Sequence, residues 1–263
     1  MIRAVQTSHD AQEFAARVHG QLYFRSAMGM RLELFWQKPG SGWRFCLTEG
    51  GALMLRGDSA QLCGGCRDKV EAEELTAFLR FCGVRTLLCR AGEGDFPWKT
   101  PLRRAAFCLP KGENLPGFGP AADGSPLQNQ APAGLTLETA PRMGQVAALL
   151  FDDREEQERF YSDSCTAIAH GMGSTWALRA VDGSLAATVS CCACYDGESY
   201  LAAGMTAPPW RGQGTGAWLI AAMTACQAQS TDVVLLCEPA LCSFYEKMGL
   251  HQGPDFALYT LPE

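Results

Sequence analysis

Positive charge is in short supply in this chain. Its 263 residues carry 22 Lys and Arg against 28 Asp and Glu, a formal net charge of −6. Nucleic-acid binding needs clustered Lys and Arg against phosphates, so no nucleic-acid partner is expected. One anion held locally by backbone amides stays compatible with this balance. No run approaches the roughly 18 apolar residues of a membrane span, so no membrane partner is expected. The opening MIRAVQTSHDAQEF has no apolar h-region, which speaks against a secretory leader. Without an export signal, the 13 cysteines read as reduced thiols in the cytoplasm. Several, such as Cys191, Cys192 and Cys194, lie in apolar runs, where Cys acts as a small hydrophobe. No second pair and no nearby His completes Cys63-Gly-Gly-Cys66 into a four-ligand zinc set, so no metal is expected.

What is present is a globular composition, 47% hydrophobic and 19% charged. The length is long for one domain and comfortable for two. The Pro-, Gly-, Asn- and Gln-rich stretch from about Pro110 to Gly134 has no periodic apolar pattern and reads as a linker or long loop. The expected division is an N-terminal domain over 1–115, a linker over 116–133 and a C-terminal domain over 134–263.

In the N-terminal part a helix is expected near Ala11–His19, then extended segments at Arg31–Gln37, Trp43–Thr48 and Ala52–Arg56, with Pro-Gly-Ser-Gly at 39–42 and Gly50-Gly51 as turns. Leu75, Phe78, Leu79 and Cys82 recur at i, i+3, i+4 and i+7, so a helix is expected over Lys69–Cys82, stopped by Gly83. The strand Arg85–Arg90 follows. Nothing in this half groups into a catalytic set.

The C-terminal part is more orderly. A strand at Leu135–Thr139 precedes helices near Pro141–Phe151 and Arg154–His170, Pro141 suiting a first helical turn. Strands Thr175–Val181, Leu185–Tyr195 and Ser199–Thr206 follow, separated by the tight-turn pairs Asp182-Gly183 and Asp196-Gly197. A helix over about Gly214–Ala228, the apolar strand Val233–Cys237, a helix at Leu241–Met248 and a strand around Phe256–Tyr259 complete the order β-α-α-β-β-β-α-β-α-β.

The informative segment is Gly204-Met-Thr-Ala-Pro-Pro-Trp-Arg211-Gly-Gln-Gly-Thr-Gly216. A strand ends, two prolines stop ladder pairing, and a Gly-rich turn opens a helix. A helix start offers unbonded N–H groups and the positive end of the dipole. Glycines let that backbone approach closely, which makes a phosphate or pyrophosphate site, with Arg211 adding charge at its rim. Gly212-Gln-Gly214-Thr-Gly-Ala217 also fits the dinucleotide fingerprint, with Glu238 near the place of its ribose-binding acid. That rival fails on topology. Only 25 residues remain after Glu238, too few for further βαβ units, and the tight turns make the preceding strands antiparallel.

From about Leu135 onward the chain resembles the GNAT superfamily of acyl-CoA-dependent N-acetyltransferases. The family pattern at the cofactor loop is V-x-P-x-x-[RQ]-G-x-G-[IAVT]-[GA]. Thr206, Pro208, Arg211, Gly212, Gly214 and Gly216 match its spacing, with Thr206 in place of Val. The second family segment, N-x-x-A-x-x-[FL]-Y-x-x-x-G-F, is matched by Phe244, Tyr245 and Gly249. Glu238 replaces Asn there, and Leu241 replaces the small residue.

The resemblance implies an α+β fold: a mixed, mostly antiparallel central sheet flanked by helices, preceded here by a smaller α+β N-terminal domain. It implies acetyl-CoA as cosubstrate and a small-molecule or peptide amine as acceptor. It also implies that Ser199–Thr206 splays from Val233–Cys237 and takes the pantetheine arm. The backbone at Gly204, Met205 and Thr206 would polarise the thioester, and Arg211, Gly212, Gln213, Gly214, Thr215 and Gly216 would hold the pyrophosphate. Tyr245 sits where the family keeps a general acid, although Leu241, Phe244, Tyr245 and Met248 also read as an apolar core stripe. Glu238 is a candidate base or a cap of the next helix. Glu198, at the start of the other splayed strand, His170 and His251 are lesser base candidates, with a solvated turn, a helix end and the surface as their structural readings. An acyl-Cys237 intermediate is conceivable but not required. The acidic run Asp152–Glu156 reads as a solvated helix start, with attraction of a cationic amine as the alternative. A module that binds acyl-CoA as a sensor or scaffold is the rival function. The N-terminal half echoes the same element order without the R-x-x-G-x-G turn, so it reads as a degenerate copy.

Overall fold

The computed structural model describes residues 1–261 except 39, 95, 97, 99 and 119–130. Most of the expected linker, 116–133, therefore lies outside the described residues. The chain forms two compact units, one of 1–107 with 236–243 and 252–263, the other of 108–235 with 244–251.

The first unit opens with β1 (Arg3–Ala4) and α1 (Ser8–Val18). A capping box sets the start of α1: the Thr7 hydroxyl accepts from the Asp10 amide, and the Asp10 carboxylate accepts from the Thr7 amide. The segment expected to be extended at Arg31–Gln37 is mostly helix: α2 spans Phe24–Phe35. Its buried residues, among them Phe24, Ala27, Met28, Met30, Leu32 and Leu34, lie on nearly every side. A helix buried all round shows no amphipathic period, so its apolar run imitates a strand. The meander β2 (Trp43–Leu47), β3 (Ala52–Arg56) and β4 (Ser59–Cys63) follows, then α3 (Lys69–Phe81), β5 (Thr86–Arg90) and β6 (Leu102–Leu109). The sequence reading did not include β4 or β6.

The second unit holds β7 (Leu135–Glu138), α4 (Met143–Leu150), α5 (Arg154–Ala169), β8 (Ser174–Ala180), β9 (Leu185–Tyr195), β10 (Glu198–Thr206) and α6 (Thr215–Ala228). It also takes most of β11 (Asp232–Cys237) and of α7 (Cys242–Met248). Its sheet runs β11-β10-β9-β8-β7, antiparallel except for the parallel β10–β11 pair. These elements follow the order read from the sequence. Residues 110–118 pack here and do not behave as a free linker. The Lys111 amide donates to Asp232 at 2.9 Å, the Gly112 amide donates to the Ala228 carbonyl at 2.7 Å, and Leu115 is buried.

The last strand, β12 (His251–Thr260), corrects the sequence reading. Its place in the sequence puts it in the C-terminal domain, but from Gln252 onward it belongs to the first unit. The order there is β1-β2-β3-β4-β5-β12-β6, with Phe256 opposite Arg90 and Thr260 opposite Thr86. Ala257 and Tyr259 join the core built by Leu53, Leu62, Leu75 and Leu87. Any strand supplies the same backbone donors and acceptors, so local sequence does not name its partner. The architecture is mixed α+β with a mostly antiparallel sheet flanked by helices. Among the described residues no helix is long and apolar enough to cross a membrane.

Candidate functional site

The site begins where β10 loses a neighbour. Its parallel ladder with β11 runs from Glu198↔Asp232 to Leu201↔Leu235 and stops, although β10 continues to Thr206. Along its other edge, Ala202 pairs with Ser190 and Met205 with Thr188. Ala203 and Gly204 thus oppose Val189 alone, which is a β-bulge, and Ala203 has the left-handed φ of 54°. A bulge bends its strand and re-aims backbone groups. The freed edge, Ala202–Thr206, is partly or fully exposed.

Pro208 and Pro209 then close the strand in a single 3-10 turn, Pro208–Trp210, since neither can donate to a ladder. Two side chains fix the loop: Arg211 Nε donates to the Thr206 carbonyl at 3.0 Å, and Gln213 Nε2 to the Pro209 carbonyl at 2.9 Å. Gly212 and Gly214 take φ of 75° and 77°, values that residues with a Cβ reach only with strain. Gly214 caps α6 in the left-handed conformation with no side-chain cap bond. Among the described residues, no acceptor takes a hydrogen bond from the backbone amides of 212–217. Left-handed glycines beside a helix start create an anion-binding concavity. Thr215 itself is buried. Gly216 leaves no room for a Cβ, which would lie 2.2 Å from Thr206 Oγ1.

Tyr245 lies on α7, buried, with its ring edge-on to Phe244 at 4.9 Å between centroids. The apolar stripe that would make it a core residue is broken. Leu241 stands in a 3-10 turn outside α7 and is 45% exposed, and Tyr245 alone on α7 is buried. Gly249 takes φ 99°, and a Cβ there would meet Pro116 Cδ at 2.7 Å. The loop, the freed edge of β10 and Tyr245 fall in the second unit; Glu238 falls in the first. Glu238 makes no capping bond to the turn it precedes. Its carboxylate is 66% exposed and pairs with Arg104 Nη1 at 3.4 Å, a partner the sequence gave no means of finding.

The remaining candidates separate cleanly. Glu198 is fully buried, which overturns its reading as a solvated turn residue: it is the first residue of β10 and is enclosed by the sheet. His170 caps the end of α5, and His251 pairs with Glu113 at 2.7 Å. Asp153 accepts from the Glu156 amide at 2.9 Å, and Glu155 pairs with Arg159, so the acidic run is a helix start. Burial, followed by the neighbouring Cys242, pushes the Cys237 thiol up to about 12. A nucleophilic cysteine needs the opposite shift. Burial likewise raises Cys63 to about 12 and Cys66 to about 11. Among the described residues no three His, Cys, Asp or Glu side chains group as metal ligands.

The acetyltransferase (GNAT) family model matches residues 143–250. The C-terminal module belongs to the GNAT superfamily. With membership comes the family's general activity, N-acyl transfer from an acyl-CoA. Solved structures share the fold over nearly the whole chain. A tandem GNAT protein from the clavulanic acid biosynthesis pathway has 15% identity and a TM-score of 0.60, over 99% of this chain and 97% of that one. A GCN5-related N-acetyltransferase from Kribbella flavida has 17% identity and a TM-score of 0.58, over 90% and 95%. A GCN5-related N-acetyltransferase-like protein from Streptococcus suis has 14% identity and a TM-score of 0.62, over 97% and 100%. No curated protein sequence matches the chain.

The likeness to a tandem GNAT fold explains the echo in the N-terminal half. There β4, α3 and the parallel strand β5 repeat the relation of β10, α6 and β11. The loops differ in what their amides touch. Ahead of α3, Asp68 accepts from the Glu71 amide at 2.9 Å, and the Glu71 carboxylate accepts from the Arg67 amide at 2.7 Å. The Cys66 amide donates to the Glu93 carbonyl at 3.0 Å. A Cβ on Gly65 would lie 2.2 Å from that same carbonyl oxygen. This GNAT-like copy satisfies its loop with its own carboxylates and carbonyl, whereas the GNAT module leaves its amides open.

Proposed function

We propose that the chain transfers an acetyl group from acetyl-CoA to a primary amine of a small molecule or peptide by direct attack. The observation that carries this reading is the row of unbonded amides at 212–217, set after a strand whose ladder has stopped. Amides of Gly212, Gln213, Gly214, Thr215 and Gly216 hold the diphosphate, with the Arg211 guanidinium at its rim. The freed edge of β10 pairs with the amide groups of the pantetheine arm. The bulged backbone at Gly204, Met205 and Thr206 donates to the thioester oxygen as charge develops there.

The amine nitrogen attacks the thioester carbon and the carbon–sulfur bond breaks. Tyr245 protonates the departing thiolate, since phenol and thiol lie close in pKa. The ammonium proton passes through water to the Glu238 carboxylate, whose exposure leaves it open to solvent despite its pairing with Arg104. No covalent enzyme intermediate is needed, and the raised Cys237 thiol supports its absence. Holding both reactants in place supplies much of the rate. Thirteen free cysteines suit a reducing, cytoplasmic setting.

A second reading, an acyl-CoA sensor or scaffold, is favoured by the Glu238–Arg104 pairing at the position where the family carries Asn. A thiol-release assay with acetyl-CoA over a panel of small amines and amine-bearing peptides separates the two. Release with at least one amine supports the transferase. Saturable CoA binding with no release for any amine supports the sensor, and no binding at all overturns both.

A further inference from the structure

The start of α6 carries an aromatic side chain suited to a purine. Trp218 stands one turn inside the helix, its amide bonded to the Gly214 carbonyl at 2.9 Å. Helical side chains lean toward the N-terminus and cover the preceding turn. The indole therefore projects back along the turn that presents the open amides. That turn is built of Gly214, Thr215, Gly216 and Ala217, and a Cβ on Gly212 or Gly214 would meet nothing within 4 Å.

The indole is partly exposed. Its single ring neighbour among the described residues is Phe118, at 6.4 Å between centroids and tilted by 58°. Phe118 thus meets it at an angle and does not stack flat on it. Leu115 and Pro116, in the same segment as Phe118, lie against Gly249. One helical turn rises about 5.4 Å. An adenine joined through its ribose to a diphosphate at the open amides spans a comparable distance.

We propose that Trp218, backed by Phe118, is the stacking platform for the adenine of the acyl-CoA. The assignment rests on the diphosphate site proposed above. A flat purine on an indole face gains dispersion and excludes water without any hydrogen-bond readout, and such stacking tolerates any base. Trp218 is on this account a binding residue with no part in the acyl transfer.

The test compares binding of CoA, 4′-phosphopantetheine and adenosine 3′,5′-bisphosphate by calorimetry to the full chain and to Trp218→Ala and Trp218→Phe. Trp218→Ala should weaken CoA and adenosine 3′,5′-bisphosphate about tenfold and leave 4′-phosphopantetheine, which has no base, unchanged. Trp218→Phe should restore most of the loss. Should Trp218→Ala weaken all three ligands alike, with no rescue by Phe, Trp218 supports the loop and the platform is overturned. Unchanged CoA affinity overturns it as well. If the wild-type chain binds none of the three, the diphosphate site itself fails, and the platform with it.

Discussion

A Cβ on Gly216 would sit 2.2 Å from the hydroxyl oxygen of Thr206. The helix that presents the open amides is thus pressed against the end of β10 by the absence of one side chain. Thr206 stands where the family usually has Val, and its Oγ1 fills the space that Gly216 vacates. Gly216→Ala should force the first turn of α6 away from β10, destabilise the chain by about 1–3 kcal/mol and weaken CoA binding. Thr206→Ala in the same chain removes the obstructing atom. The double variant should therefore recover much of the loss, and a non-additive double-mutant cycle in thermal melts checks it.

Tyr245→Phe removes the phenol and keeps the buried ring. Turnover should fall by about 10²-fold or more, with CoA affinity unchanged by calorimetry. Equal turnover in variant and wild type takes Tyr245 out of the chemistry and leaves it a packing residue.

Cys237→Ala should leave turnover of the same order. Burial and Cys242 hold this thiol near 12, so almost none is thiolate at neutral pH. Mass spectrometry during turnover should find no acetyl group on the protein. A stable acetyl adduct on Cys237, or loss of turnover in Cys237→Ala, would reverse this conclusion.

Acid should loosen the first unit through Asp10. The Thr7 hydroxyl, then the Thr7 and Gln6 amides, with Arg3 adding, hold its carboxyl well below the usual range. The folded pKa is lowered, so the stabilisation is present above the unfolded value, about 3.9. It is lost as pH falls toward and below that value. Asp10→Asn should lower Tm at pH 7. The gap to wild type should shrink at pH 3, and a gap independent of pH would exclude Asp10 as the titrating group.

Titration should give one acyl-CoA per chain. The N-terminal copy has its loop closed by Asp68, Glu71 and the Glu93 carbonyl, and two carboxylates oppose a diphosphate. A calorimetric stoichiometry of two would mean that this ring opens.

Much of the second unit was legible because its signals are local. Asp182-Gly183 and Asp196-Gly197 each turn the chain between neighbouring strands. Gly212 and Gly214 read as a Gly-rich turn opening a helix, and α6 does begin directly after Gly214. Helix α2 was not legible, since burial on nearly every side erased its period. Of the two readings open for Glu198, strand start and solvated turn, the second fails because the first residue of β10 is already enclosed. The Glu238–Arg104 pair joins residues far apart in sequence, and no spacing rule links them.

The sequence by itself determined the glycine loop, the order of elements around it and the superfamily, because turn chemistry and side-chain spacing act within a few residues. Tertiary structure alone decided that β12 completes the first sheet beside β5, at which residues β10 and β11 part, Leu201 and Leu235, and that the N-terminal loop is closed by its own carboxylates. Each of these depends on which backbone groups and side chains meet across long separations. Backbone donors and acceptors are the same in every residue, so only the packed chain selects among their partners.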